Sequence, residues 1–233
     1  MGGRRTLHAT WLGRVPYAEA TALQERVRQA LRAGEGPERL LLLEHPPVYT
    51  LGRRGSAADI RMPEQWLAAR GISVHECDRG GQVTYHGPGQ LVGYPIVDLD
   101  PDRRDLRRYV RDLQEILVRT LADFGVEAEG RGEQDLIGVW SDRAKVASIG
   151  VHVSRWITTH GFALNVTTDL ADFDGIVACG LPGVRMASIE TLSGKRPELP
   201  EVAAVCARHF GDVFDRQVVE AGPPSELQWA FAS

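Results

Sequence analysis

The sequence predicts an α+β fold, a mixed and mainly antiparallel sheet flanked by helices. Three observations carry that expectation. Helical and alternating apolar patterns are intermixed along the chain without the regular strand–helix–strand repeat of a parallel architecture. Between residues 126 and 166 four short apolar runs follow one another, separated by turns too short for the crossovers that parallel strands need. Long amphipathic patterns at residues 106–124 and 201–219 each offer one apolar face to a sheet. At 233 residues the chain can bury a substantial core, and nothing in it demands more than one domain, taken as 1–233.

The elements follow in order. After an N-terminal tail, residues 17–32 place Ala20, Leu23, Val27, Ala30 and Leu31 at helical spacing, with Pro16 ahead and Gly34 behind. Residues 40–43 are a leucine run too short for a helix and read as a buried strand. Pro46 and Pro47 then hold residues 44–54 extended and rigid, as loops that line sites often are. A short helix at 63–70 and a strand at 72–77 lead into a glycine-rich stretch, and a strand at 91–98 follows it. In the helix at 106–124 the apolar face runs from Leu106 to Phe124 and Gly125 ends it. Arg103, Arg104, Arg107, Arg108 and Arg111 crowd its start, where the helix dipole disfavours positive charge, which fits either a solvated face or a docking surface. Strands are expected at 126–128, 135–140, 145–153 and 157–166. Residues 172–183 read as loop, and residues 201–219 as a last helix with Val202, Val205, Cys206, His209, Phe210 and Val213 on its stripe.

Composition excludes several classes. A net charge of −4 with 25% charged residues describes an ordinary soluble protein and not a general nucleic-acid binder. No apolar run approaches the length of a membrane span, and residues 1–6 lack the hydrophobic segment of a secretion signal, so a cytoplasmic location without membrane attachment is expected. The three cysteines, Cys77, Cys179 and Cys206, are widely spaced with no Cys-x-x-Cys pair, which argues against a disulfide framework and against a zinc site. Neither a metal nor a cofactor is expected.

Residues 79–91, Arg-Gly-Gly-Gln-Val-Thr-Tyr-His-Gly-Pro-Gly-Gln-Leu, hold four glycines. That density points to backbone in special conformations or open to close approach by a ligand. Thr84, Tyr85 and His86 place a hydroxyl, a phenol and an imidazole among them, which suits the wall of a pocket for a small polar group. The same composition also fits a glycine-rich hairpin whose polar residues satisfy only their own backbone. Cys206 lies on an apolar helical stripe and reads as core, and Cys77 has no partner to activate it. Cys179 precedes Gly180 in a loop flanked by Gly175 and Gly183, where a thiol can be exposed and backbone amides can face one oxygen. It is the best nucleophile candidate. With an ordinary thiol pKa of about 8.5, only roughly 3% is thiolate at pH 7, so a cationic neighbour would matter. Of only two lysines, Lys145 opens an otherwise apolar strand, a position that suits either a proton-transferring group or a plain strand end.

Five ordered motifs carry a resemblance. They are Arg79-Gly-Gly-x-x-Thr84-x-His86-x-Pro88-Gly89-Gln90-Leu91, Glu44-His45-Pro46-Pro47-Val48-Tyr49-Thr50, Ala144-Lys145, His160-Gly161-Phe162-Ala163-Leu164-Asn165 and Cys179-Gly180. Together, over roughly residues 40–191, they resemble the lipoyl(octanoyl) transferases, within the wider biotin and lipoate protein ligase fold. The resemblance implies a catalytic pair of Cys179 and Lys145. It implies acyl-binding segments at Arg79, Gly80, Gly81, Gln82, Val83, Thr84, Tyr85 and His86, at Ser148, Ile149 and Gly150, and at Gly161, Phe162 and Ala163. The family commonly has proline before the cysteine, where this chain has Ala178.

The reaction so implied moves an octanoyl group from octanoyl acyl carrier protein to a lysine of a lipoyl domain, in 2-oxoacid dehydrogenase complexes or the glycine cleavage H protein, through a Cys179 thioester. An ATP-dependent lipoate ligase of the same fold would need no cysteine. A non-catalytic acyl-binding domain would need neither member of the pair, and a cysteine hydrolase would need water at the acyl-enzyme.

Overall fold

The computed structural model describes residues 4–133, 136–177 and 184–223. Its largest feature is a nine-stranded sheet. Reading across it come β12 (Arg216–Glu220), β1 (Arg5–Arg14), β2 (Glu38–Glu44), β6 (Gln90–Ile96), β10 (Ile157–Asn165), β9 (Ala144–Ser154), β8 (Gly138–Ser141) and β7 (Glu129–Arg131), with β11 (Arg185–Met186) beside β9. From β2 to β7 every neighbouring pair is antiparallel, whereas β12, β1 and β2 run parallel to one another. A second sheet of three strands joins β4 (Ser73–Glu76), β3 (Val48–Leu51) and β5 (Val83–His86). The expected α+β class, with a mainly antiparallel sheet, is what the chain forms.

Strand alternation divides the core. On β2, Leu40 and Leu42 pack with the apolar faces of α3 (Leu106–Asp123) and α5 (Leu199–Phe214). Leu41 and Leu43 face the other way, onto Ala20, Leu23 and Val27 of α1 (Tyr17–Ala33). Both faces of the central strands are therefore covered, which is why the run of leucines is continuous and does not alternate. The small sheet keeps a core of its own, with Tyr49, Tyr85 and Phe173 against α2 (Glu64–Ala69). Helix boundaries follow the punctuation in the sequence: Gly34 ends α1 in a left-handed conformation, and the Asp105 carboxylate caps α3 by accepting from the Arg107 and Arg108 amides. The short α4 (Ile189–Ser193) is capped by Ser188, whose hydroxyl accepts from the Thr191 amide.

The structure differs from the sequence expectations in four places. The N-terminal tail contains β1, whose Leu7 and Ala9 pack on one face of the sheet and whose Leu12 packs on the other. Its residues Thr6-Leu7-His8-Ala9-Thr10-Trp11 alternate polar and apolar, a strand signal in the sequence that the reading as a tail passes over. The last helix stops at Phe214 and not at residue 219, because Asp215 turns left-handed at φ 53° and Arg216 begins β12. The strand expected at 126–128 lies at Glu129–Arg131, since Val126 is still bonded back to Leu121 at the end of α3. The strand expected from 135 starts at Gly138; its first residue lies outside the described ones.

The arginines at the start of α3 divide into two groups. Arg103 is buried, paired with Asp112 and stacked over the Phe214 ring at 4.4 Å, so it belongs to the core. Arg104 and Arg108 sit 3.8 Å from Asp100 and Asp112. Arg107 and Arg111 are exposed. Among the described residues no helix is long and apolar enough to cross a membrane.

Candidate active site

The glycine stretch is strapped down on both sides. The Gly52, Arg53 and Arg54 amides donate to the carbonyls of Gln82, Arg79 and Gly81 at 3.0–3.2 Å, and the Gly80 amide donates to Val151 of β9 at 3.0 Å. Such close layering needs glycine. A Cβ on Gly52 would lie 2.6 Å from the Gly81 carbonyl oxygen, and one on Gly150 would lie 2.9 Å from that of Gly80. The strap is fastened by Arg79, a buried side chain that donates to the Thr50 carbonyl at 2.6 Å, to its hydroxyl at 2.8 Å and to the Gly80 carbonyl at 3.1 Å.

From Arg79 a directed chain of hydrogen bonds runs through the interior. A carboxamide oxygen can only accept, so His86 must donate from Nδ1 to Gln90 Oε1 at 2.8 Å, which leaves Nε2 to accept from the Thr50 hydroxyl at 3.4 Å. Gln90 then donates to Asn165 at 2.9 Å, and Asn165 to the Ala187 carbonyl at 3.0 Å. The Ala187 amide donates to the Lys145 carbonyl at 2.9 Å. Lys145 and the glycine strap thus share one buried scaffold, and each group in it keeps a partner it would be costly to lose.

Lys145 is the second residue of β9 and is 1% exposed. Its stem crosses Gly138, where a Cβ would lie 2.6 Å from Lys145 Cε, and Nζ lies 5.5 Å from the Trp140 ring centre. The β8–β9 pairing slips between Val139 and Trp140, which brings Trp140 opposite Lys145. Between the strap and β9 and β10 lies a cavity of about 240 Å³. Its lining includes Lys145, Arg79, Gly80, Gly81, Gln82, Val83, Thr84 and His86, together with Ser148, Ile149 and Gly150, and Gly161, Phe162 and Ala163. The volume is below the roughly 300–1,000 Å³ of sites for drug-sized ligands and suits a slim chain.

Of the sequence-predicted lining, Tyr85 is misplaced. On β5 the side chains alternate, so Thr84 and His86 face the cavity while Tyr85 packs edge-on against Tyr49 and Phe173 in the small sheet's core. Cys179, with residues 178–183, lies outside the described residues. Both flanks of that segment are anchored: the Val177 amide donates to Asp59 at 2.8 Å, and Met186 pairs with Lys145. Cys206 is core as expected, its thiol pushed up to about 12 by burial. Cys77 is half-buried, with its thiol on the Leu51 carbonyl at 3.3 Å.

The sequence reading missed Tyr17, Tyr94, His160, Leu106, Val110 and Ile137, all of which line the cavity. Tyr17 and Leu106 sit in helical patterns and Tyr94 in a strand pattern, where each looks like ordinary core. His160 carries a structural mark, a left-handed φ of 56°, held by its amide on Gln24 Oε1 at 2.7 Å and by Nε2 facing Asp78 at 2.8 Å. His45 lies behind this end: its Nδ1 donates to the Val15 carbonyl at 2.6 Å and its Nε2 accepts from the Tyr94 hydroxyl at 2.8 Å. Burial lowers the His45 pKa to about 4 and drives that of His86 well below its ordinary value.

Comparison with known proteins matches residues 16–211 to the lipoyl protein ligase A/B catalytic domain. The chain belongs to this family. Relatives named octanoyltransferase include one from Acidobacterium capsulatum, 45% identical with 95% of each chain covered. Another, from Solibacter usitatus, is 48% identical, covering 89% of this chain and 93% of the relative. Among solved structures, a putative lipoate protein ligase from T. acidophilum with bound lipoic acid superposes with a TM-score of 0.76 at 17% identity, covering 95% of this chain and 91% of that one. A biotin protein ligase from Aquifex aeolicus in complex with biotin and ATP gives 0.55 at 13% identity, covering 89% and 70%. These two share the fold. The family membership bears out the resemblance carried by the five motifs.

Neutral, buried His45 sets a pH dependence. Its pKa falls from about 6.5 in the unfolded chain to about 4 in the folded one. Between these values the unfolded state binds more protons, so its stabilisation is complete above pH 6.5 and is lost as pH falls toward 4, on the order of 3 kcal/mol for this group. Urea denaturation from pH 7 to 4 should show that slope, and His45→Gln should flatten it; a variant as steep as the parent would remove His45 from the account.

Proposed function

We propose that Cys179 and Lys145 carry out octanoyl transfer from an acyl carrier protein thioester to a lysine of a lipoyl domain, with residues 1–233 acting as one catalytic domain. The octanoyltransferase relatives support an acyltransferase acting in lipoylation. One observation supports the residue assignment above the rest: Lys145 is buried at an acyl-sized cavity, and β11, which follows the segment bearing Cys179, is hydrogen-bonded alongside it.

In the first half-reaction the Cys179 thiolate attacks the octanoyl carbonyl, the carbon–sulfur bond to the carrier breaks, and the carrier thiolate leaves and takes a proton from charged Lys145, which is left neutral. In the second, the acceptor lysine amine attacks the Cys179 thioester, an amide forms, the Cys179 sulfur leaves, and the amine's proton passes to Lys145. Lys145 in its charged form favours the thiolate at the start. Each buried methylene of the chain contributes about 0.8 kcal/mol of binding. The apolar walls at Ile149, Phe162 and Ala163 supply that contact.

Mixing the protein with octanoyl acyl carrier protein in the absence of ATP should add one octanoyl mass to the intact chain. Cys179→Ala should abolish the adduct, while Cys77→Ala and Cys206→Ala keep it; an adduct that survives Cys179→Ala would assign the chemistry elsewhere.

Docking of the acidic carrier falls to Arg54, which lines the cavity, and to Arg107, which follows cavity-lining Leu106. Arg103 is excluded by its burial. The chain is net negative, so a local basic patch is needed to draw in an acidic partner, and its effect should fade as salt shortens the Debye length from about 10 Å at 0.1 M to about 3 Å at 1 M. Arg54→Glu/Arg107→Glu should therefore slow transfer from the carrier protein at low salt while leaving a small uncharged octanoyl thioester little affected. Equal losses on both donors would mean that these arginines shape the cavity instead.

A further inference from the structure

Lys145 is held against an aromatic ring that takes no part in lining the cavity. Trp140 is buried, and its ring centre lies 5.5 Å from Lys145 Nζ, within the reach of a cation–π attraction. The contact depends on an irregularity in the sheet. Gly138 pairs with Ser148 and Val139 with Ala147, so a regular ladder would set Trp140 opposite Val146, on the other face of the sheet from Lys145. The slip at this point skips Val146 and sets Trp140 opposite Lys145, on the same face. The ring is also clamped. Its Nε1 donates to the Leu136 carbonyl at 2.7 Å, and the guanidinium of Arg131, from β7 on the far side of β8, lies over it at 5.1 Å. Arg131 is in turn fixed by Glu129 at 2.8 Å and by the Asp142 carbonyl at 2.7 Å, so its own charge is answered by a carboxylate.

A buried ammonium needs something to offset its lost hydration. A carboxylate would do so by accepting from its N–H groups, the same groups that must exchange protons with the reacting sulfur and amine. A ring face attracts the charge through its quadrupole and competes far less for those protons. That suits a lysine which gives up a proton in one half-reaction and takes one back in the next. We propose that Trp140 is a positioning residue for acyl transfer: its ring face holds the Lys145 side chain at the cavity and favours the charged form that starts each cycle. The proposal rests on the acyl-transfer reading, which gives Lys145 its proton exchanges. The other titratable or charged side chains lining the cavity are Tyr17, Arg54, Arg79, His86, Tyr94 and His160, and β11 adds exposed Arg185 opposite Ala144. All of them are kept in every variant compared below.

The experiment follows octanoyl-enzyme formation from a small octanoyl thioester by intact mass, against donor concentration and pH, for the parent and for Trp140→Phe, Trp140→Leu and Trp140→Met. Phenylalanine keeps a ring face. Leucine and methionine are apolar without one, and the two together give a ring-less variant whose fold is checked by circular dichroism. In a ring-less variant the rate at saturating donor should fall about fivefold or more, while the half-saturating donor concentration stays unchanged because Trp140 does not line the cavity. The alkaline limb of the rate, where charged Lys145 is lost, should move to lower pH by about half a unit or more. Trp140→Phe should keep most of the rate and most of the limb's position. The proposal is overturned if the limb of a folded ring-less variant coincides with the parent's, if Trp140→Phe is displaced as far as the ring-less variants, or if the parent is acylated with no alkaline limb at all. Failure of the thioester to acylate the parent at any pH would count against the acyl-transfer reading and not against the role of Trp140 alone.

Discussion

The layering of the Arg79–Gln82 backbone between the Gly52 turn and β9 is the constraint on which the site depends. Three amides from one side and one from the other hold it, and the distances leave no room for a Cβ at Gly52 or Gly150. A loop pinned this way forms a wall close to β9 and β10 without side chains filling the gap, and that gap is the cavity. The Arg79 guanidinium, fixed on Thr50, then hands the constraint to the buried chain through His86, Gln90 and Asn165 that ends beside Lys145. The cavity wall and the lysine are therefore parts of one scaffold. A change at either end is felt at the other because every member of the chain is buried and would be left unpaired.

The same arrangement explains why the surrounding fold takes the form it does. The central strands are covered on both faces, by α1 on one and by α3 and α5 on the other, so the residues that build the site are anchored in rigid strands. Among the described residues, the glycine strap, Arg54 and Ile137 line the cavity from outside helices and strands. Positioning from strands suits a site whose buried lysine is held in one place.

Much of this was legible in the sequence, for definable reasons. The glycine density at residues 79–91 could be read because close backbone approach admits almost no other residue, and Lys145 stood out as a charge opening an apolar strand. Strand β1 was legible in the alternation Thr6-Leu7-His8-Ala9-Thr10-Trp11 and was passed over as a tail, whereas the end of α5 was hidden because Asp215 stops the helix by a left-handed turn that usually announces itself as glycine. Tyr85 came with the whole segment 79–86 that the resemblance implied; on β5 its side chain lies opposite Tyr49 of β3 and packs in the small sheet's core. Tyr17, Tyr94 and His160 come from a helix and two strands far apart in the chain, and only the fold brings them together.

The central claim is that the close approach of the strap to β9 positions the catalytic scaffold, and Gly150→Ala tests it most directly. The added Cβ would lie 2.9 Å from the Gly80 carbonyl oxygen and 3.1 Å from Arg79 Cδ, displacing the wall without touching Lys145. The measurement is the rate of octanoyl-enzyme formation, with circular dichroism to establish that the variant is folded. The account predicts a folded protein acylated at least about tenfold more slowly, the equivalent of roughly 1.4 kcal/mol in the barrier. A folded variant acylated at the parent's rate would contradict it.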